Sequence, residues 1–124
     1  MANNPETKVT FKVFNADFNK KIGEMKSESS KLRKEFQLQQ DQLKLNGTET
    51  DRLTSKIDYL KKAQEIAKQQ IQMTEQQLSK AKQTFGENSI EVDKLAKKLL
   101  DAQIAEQRFA NQLGTTQQEL TQLT

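Results

Sequence analysis

The stretch KAKQTFGENSIEVDKL, residues 80–95, interrupts a chain that otherwise has the residue pattern of continuous helix. Gly86 can take the positive φ that is common one residue past a helix C-terminus. Asn88 as N-cap, with Glu91 three residues later, has the spacing of a capping box. The stretch therefore predicts a turn at 86–88, where one helix ends and the next begins, with the chain folded back on itself.

The same stretch also gathers acidic and amide side chains next to a glycine, as calcium loops do. Its spacing differs from the pattern D-x-[DN]-x-[DN]-G, and the late bidentate Glu of that pattern is missing. Helix capping accounts for the residues better than metal binding does, so the sequence predicts no metal site here.

Apolar residues on both sides of this turn recur in alternating steps of three and four. This spacing is typical of helices that pack through a narrow coiled-coil seam. It predicts helix 1 at residues 15–45, helix 2 at 49–85 and helix 3 at 89–124. The predicted seam residues are Phe18, Ile22, Met25, Leu32, Phe36, Leu43, Leu53, Ile57, Leu60, Ile71, Leu78, Phe85, Val92, Leu95, Leu99, Phe109 and Leu113.

Polar residues interrupt the seam at Ser29, Gln39, Gln64 and Thr74. Buried polar residues weaken a coiled coil but fix its register or copy number, so these positions favour self-association. Gly114 leaves the apolar phase unchanged and is predicted to weaken helix 3 by about 1 kcal/mol relative to alanine. A second apolar stripe widens the face of helix 2, which predicts that this helix contacts more than one neighbour; it contains Tyr59, Ala63, Ile66 and Met73.

The other predicted turn, at residues 46–48, contains Asn46, Gly47 and Thr48. Gly47 suits a left-handed position after helix 1, and Thr48 or Thr50 suits the N-cap of helix 2. The three residues also match a glycosylation sequon, but a turn is the ordinary interpretation without a secretory signal.

The N-terminal segment has a different pattern. Residues 1–7 are polar and predict a flexible lead, whereas 8–14 alternate, with Val9, Phe11 and Val13 on one side. Alternation predicts a short strand, whose edge would need to pair with another chain or with a copy of itself. Asn15 or Asp17 would then cap helix 1.

These patterns together predict an all-α fold. Three long helices form antiparallel, coiled-coil-like hairpins in a single elongated domain, preceded by one short β-strand.

The residue types limit the chemistry. The chain has no His and no Cys, and it has neither a Gly-rich phosphate loop nor a nucleophile elbow, so we predict a protein that is not an enzyme and binds no cofactor. Its Lys pairs are scattered over three helices, which indicates solvated faces rather than DNA contact. No apolar run approaches the length of a membrane span, so no membrane contact is predicted from this segment.

Several features occur together along the chain: the predicted strand, the Asp17-Phe18 helix start, LKLNGTETDRLTSKIDYLKKAQEIAKQQI at 43–71 and LSKAKQTFGENSIEVDKLAKKLLDAQ at 78–103. From about Val9 to Leu120 this order resembles the N-terminal region of the tail tape measure proteins of long-tailed bacteriophages. The joint placement of the two turns is more specific than the heptads.

The resemblance implies a non-catalytic virion component that sets tail length and assembles in several copies inside the tail tube. Its partners would be copies of itself, tail tube proteins and tail assembly chaperones. It would reside in the virion tail, and in the bacterial host cytoplasm during assembly. Proteins of this family usually run to many hundreds of residues, so the resemblance also implies an N-terminal fragment or the product of a truncated prophage gene.

The alternative is a cytoplasmic coiled-coil adaptor or scaffold that binds another helical protein. The same seams would serve that function, and periodicity alone does not choose between the two.

Overall fold

The computed structural model describes residues 5–124, with side chains from Phe11 onward, as three long helices. Helix α1 spans Pro5–Asn46, α2 spans Glu49–Phe85 and α3 spans Ile90–Leu123, with 42, 37 and 34 residues. At 1.5 Å per residue they are about 63, 56 and 51 Å long. Short connections reverse the chain twice, which confirms the predicted all-α fold of helical hairpins.

The predicted strand at 8–14 is wrong, because these residues lie inside α1. Phe11, Phe14 and Phe18 recur at helical spacing, and Val13, which the strand prediction placed beside Phe11, is 71% exposed. Phe11 and Phe14 instead pack against Phe85 at the end of α2, with ring centroids 5.1 and 5.4 Å away. Packing along a helical face has overridden the local period-two pattern.

The early start of α1 corrects three further predictions. Residues 5–7 of the predicted flexible lead are helical, and residues 1–4 lie outside the described part of the chain. Helix 1 begins at Pro5 rather than at residue 15. Asn15 and Asp17 are therefore interior helical residues and do not cap α1.

Helix α2 lies between the other two helices and contacts both, more extensively along α3 than along α1. This confirms the prediction that helix 2 has more than one neighbour. The three helices meet in a buried cluster that we call the three-helix end, formed by Phe18 of α1, Ala81 of α2, and Val92 and Leu95 of α3. Away from that end, α1 and α3 each pack chiefly on α2.

The first turn has an N-cap of the expected chemistry. The Thr48 side chain accepts a hydrogen bond from the Asp51 backbone N–H, and the Asp51 carboxylate accepts one from the Thr48 N–H, at 3.1 and 3.0 Å. This is a reciprocal capping box, which satisfies two backbone donors that the start of a helix leaves free.

The prediction of a left-handed Gly47 is wrong, because within residues 5–124 the residue with positive φ is Gly86 and not Gly47. Gly47 is required for a different reason: its N–H donates to the Leu43 carbonyl at 2.7 Å, and a Cβ added there would come within 2.8 Å of that oxygen. The glycine permits a close approach of backbone to backbone.

At the second turn Gly86 has φ of 93°, and its N–H donates to the Lys82 carbonyl. The N-cap of α3 is Ser89 rather than the predicted Asn88, since the Ser89 hydroxyl accepts from the Val92 N–H at 3.2 Å. Asn88 is exposed, and Glu91 lies in the first turn of α3 without completing the predicted box. The acidic side chains of that turn are still favourable, because the N-terminus of a helix carries partial positive charge.

Ser89→Ala is expected to lower the free energy of unfolding by about 1 kcal/mol, because it removes the acceptor of a helix N-cap. Asn88→Ala is the matched control, and a change within about 0.5 kcal/mol is expected there. Chemical denaturation followed by circular dichroism measures both. A larger loss at Asn88 than at Ser89 would restore the original capping assignment.

Candidate association surface

Polar contacts set the register between α1 and α2. At the three-helix end the Gln77 side-chain amide donates to Asn15 Oδ1 at 2.9 Å and to the Phe14 carbonyl at 3.3 Å. At the opposite end the Ser55 hydroxyl donates to Gln39 Oε1 at 2.7 Å. Since a displaced register would leave buried polar atoms unpaired, these contacts specify one alignment of the hairpin.

The polar seam residues also connect α2 to α3. The Gln64 amide donates to Glu106 Oε1 at 3.0 Å. Thr74 and Thr116 are buried, and each hydroxyl donates to the carbonyl four residues earlier, at 2.7 Å. The Thr hydroxyls thus stay within their own helices, whereas Gln64 bonds to α3 and Gln39 bonds to α2.

Among the described residues α1 and α3 make few contacts, and the polar ones lie at the three-helix end. There Lys98 Nζ lies 3.4 Å from Asn19 Oδ1 and 5.7 Å from the centroid of the Phe18 ring. Beyond this point a cleft opens between the two helices, lined in part by Ile22, Lys26 and Ala102.

A long groove follows the opposite flank of α1, on the side of the α1–α2 hairpin that faces away from α3. Three depressions make it up: two adjoin and share Leu32, Glu35 and Lys62, and the third lies nearer the three-helix end. The residues lining them extend from Phe14 to Gln42 on α1 and from Lys80 back to Ser55 on α2. We call this surface the α1–α2 groove. Its apolar lining consists of Phe14, Phe18, Leu32, Phe36, Leu38, Tyr59, Ile66 and Met73.

The lining of the groove combines ordered aromatic contacts with exposed aliphatic surface. Phe36 and Tyr59 stack with ring centroids 4.3 Å apart and an interplanar angle of 10°. Leu38 is 61% exposed at the edge of the groove. An exposed leucine beside half-buried aromatic rings offers apolar area that a further helix would remove from water.

Charged residues line the two rims of the groove in bands. In the register fixed by the contacts above, Glu28 lies level with Glu65, and Lys31 with Lys62. Both pairs lie in the central part of the groove. An acidic band therefore adjoins a basic band, and Glu35 and Asp58 form a second acidic band on the other side of the basic one. Each band has the same sign on both rims.

Ion pairs among residues 11–124 run along single helices and do not cross between them. Lys21 Nζ lies 3.2 Å from Asp17, and Lys62 Nζ lies 3.1 Å from Asp58. All four side chains are more than half exposed. Exposed pairs of this kind contribute little to stability, so the rim charges are available to a partner.

The predicted seam residues all lie at buried or half-buried positions. Buried are Phe18, Leu53, Leu60, Val92 and Leu95. Half-buried are Ile22, Met25, Leu32, Phe36, Leu43, Ile57, Ile71, Leu78, Phe85, Leu99, Phe109 and Leu113. The half-buried majority shows how thin the core of this bundle is.

Sequence reasoning missed the buried pair of Asn15 and Gln77. Asn15 was interpreted as a helix cap, although steps of four and three lead from Phe11 through Asn15 to Phe18. Continuing the heptads upstream of Phe18 would have placed Asn15 in the seam, where the structure has it 5% exposed.

The described residues form no group of three or more His, Cys, Asp or Glu side chains with the proximity of metal ligands. Within residues 5–124, none of the helices has an apolar stretch sufficient to cross a membrane.

Comparisons with protein families, with curated proteins and with solved structures found no match to this chain.

Proposed function

We propose that this chain is a non-catalytic structural protein that acts in the assembly and length determination of a bacteriophage tail through association of its helices. The observation that supports association is the α1–α2 groove, which carries an apolar lining between charged rims along most of a hairpin. Surfaces of this composition are typical of helices that pack against further helices.

The assignment to a bacteriophage tail rests on the sequence resemblance, which extends from about Val9 to Leu120. On this proposal the partners are further copies of the chain, tail tube subunits and tail assembly chaperones. The predicted strand no longer contributes to recruitment, because residues 8–14 are helical. Helix packing is left as the means of association.

The hairpins bear on how such a chain would measure length. A tape measure converts residue number into length through the fixed rise of a helix. Folded back at Gly47 and Gly86, the three helices span about one helix length, roughly 60 Å, instead of the sum of the three. We therefore assign this segment to a compact end region whose residue number does not add to the tail.

Mass spectrometry of tails purified from a phage that encodes this chain is expected to detect its peptides. Disruption of its gene is expected to abolish tails or to leave their length uncontrolled. Virions that lack the chain, together with tails of normal length after disruption, would overturn the proposal.

A deletion of three heptads from α2, residues 57–77, tests the compact end region separately. Tails that assemble are expected to keep their length under electron microscopy. Shortening by about 32 Å, the rise of 21 helical residues, would show instead that the segment is extended in the tail.

The second candidate is an adaptor whose groove receives a helix of a different protein. The exposure of Leu38 at the edge of the groove is equally compatible with such a partner. Purified chain that stays monomeric at high micromolar concentration would favour the adaptor.

A further inference from the structure

We infer that the α1–α2 groove is the interface of an antiparallel dimer of this chain, in which the acidic band of each copy faces the basic band of the other. The inference rests on the self-association in the proposed function and deepens it, because it assigns the surface and the orientation. The occupant is a second copy, and the charge pattern of the rims identifies it.

The charges on the central rims of the groove favour a partner of opposite charge at each band. Glu28 and Glu65 form the acidic band, and Lys31 and Lys62 form the basic band one helical turn away. Within one chain, each band brings like charges to the two sides of the same opening. A partner with the opposite sign at each band would relieve that repulsion.

Orientation follows from the order of the bands. If two copies faced each other with their helices α1 parallel, a twofold axis along the groove would place α1 of one copy over α2 of the other. Glu28 would then face Glu65 of the second copy, and Lys31 would face Lys62 of the second copy. Parallel association therefore places like charges together and is disfavoured.

Antiparallel association reverses the order of the bands in one copy. A twofold axis across the groove, passing between Glu28 and Lys31 on α1 and between Lys62 and Glu65 on α2, places α1 over α1 and α2 over α2. Glu28 then faces Lys31 of the second copy, and Lys62 faces Glu65 of the second copy. Because the interface is isologous, each opposite-charge contact occurs twice.

The apolar lining of the groove would be covered in the same dimer. The same axis covers the groove of each copy with the groove of the other, from the three-helix end to the first turn. Leu38 and the stacked rings of Phe36 and Tyr59 would lose solvent contact. Burial of this apolar area supplies affinity, and the charge bands select the antiparallel orientation.

Charge exchange in the groove tests the interface by sedimentation equilibrium of the full chain. K31E/K62E makes both bands acidic, and E28K/E65K makes both basic. Each variant alone is expected to dimerise about tenfold more weakly than the unmodified chain, or worse, because two opposite-charge contacts become like-charge contacts and are repeated by symmetry. An equimolar mixture of the two variants is expected to restore dimers of one copy each.

K94E/K97E is the matched control, since it makes the same change of charge on exposed positions of α3. Its dimerisation is expected to stay within about twofold of the unmodified chain, because surface charges away from the interface have little effect. A dimer that K31E/K62E leaves unchanged, or that the control weakens equally, would overturn the assignment of the surface. An unmodified chain that stays monomeric at high micromolar concentration would overturn the dimer itself.

Crosslinking tests the orientation, and the absence of native cysteine makes each introduced thiol unique. Antiparallel packing about the stated axis places Lys21 opposite Leu38 of the second copy. A mixture of K21C and L38C chains is expected to be joined by a short bismaleimide, whereas K21C alone is not. Crosslinking of K21C alone, with none in the mixture, would contradict the antiparallel arrangement.

These outcomes are separable from those of the tail experiments. A dimer through the groove with no chain in purified tails would preserve the interface and remove the proposed function. If the chain is present in tails but its association is unaffected by the charge exchanges in the groove, the proposed function is preserved and the interface is removed.

Discussion

Replacing Leu95 with alanine is expected to lower the free energy of unfolding by about 2–5 kcal/mol. Leu95 is 1% exposed and packs with Phe18, Ala81 and Val92 where all three helices meet. The truncation removes transfer free energy and leaves a cavity that three long helices cannot close by local adjustment. Denaturation in guanidinium chloride, followed by circular dichroism, measures the loss.

Leu100→Ala is the control for this prediction, because the same atoms are removed from a side chain that is 55% exposed on the same helix. A change within about 0.5 kcal/mol is expected. Equal losses at the two positions would mean that the three-helix end is not the principal core of the molecule.

Val13→Pro is expected to have the second large effect, with a loss of about 3 kcal/mol or of the helix upstream of residue 13. Val13 is interior to α1, so proline there removes a backbone hydrogen bond and clashes with the preceding turn. Disrupting this turn would also displace Phe11 from its edge contact with Phe85. Far-ultraviolet circular dichroism and denaturation together measure the loss of helix and of stability.

Val13→Ala separates the backbone effect from the side chain. Because the valine side chain is largely exposed, this control is expected to change stability by no more than about 0.5 kcal/mol. If proline proved as harmless as alanine, residues 8–14 would not be an essential part of α1, and the aromatic packing around Phe85 would need another explanation.

The heptad spacing predicted which residues of each helix face its neighbours. Leu60 and Leu95 are buried, and none of the predicted apolar seam residues is exposed, whereas the polar seam residue Gln39 is. Local periodicity suffices here because every third or fourth residue of a helix returns to the same face. Turn chemistry was a weaker guide, since Asn88 and Ser89 are both good N-cap residues and the backbone conformation selects Ser89.

The start of α1 could not be predicted from local pattern. The alternation of Val9, Phe11 and Val13 is a sound strand signal for an isolated segment. Phe11, however, gains more from packing on Phe85, which is 74 residues away in the sequence, than an unpaired strand would gain. Contacts between distant segments decide such cases, and no local window contains them.

The charge bands of the groove were beyond prediction for a related reason. Glu28, Lys31, Lys62 and Glu65 each have the pattern of a solvated helix face. They become bands only when contacts such as Ser55 with Gln39 fix the register of α1 against α2. A displacement of one helical turn would place acidic residues level with basic ones and remove the repulsion that the proposed dimer relieves.

The sequence by itself determined the all-α class of the fold, because helical period and turn residues are local properties of the chain. It gave the two reversals and the apolar face of each helix. Only the tertiary structure decided that α1 begins before the heptads, that Asn15 is buried against Gln77, and that the hairpin carries an open groove with like charges level on its two rims. These features depend on the alignment of helices remote in sequence, which is set by packing and by satisfied buried hydrogen bonds.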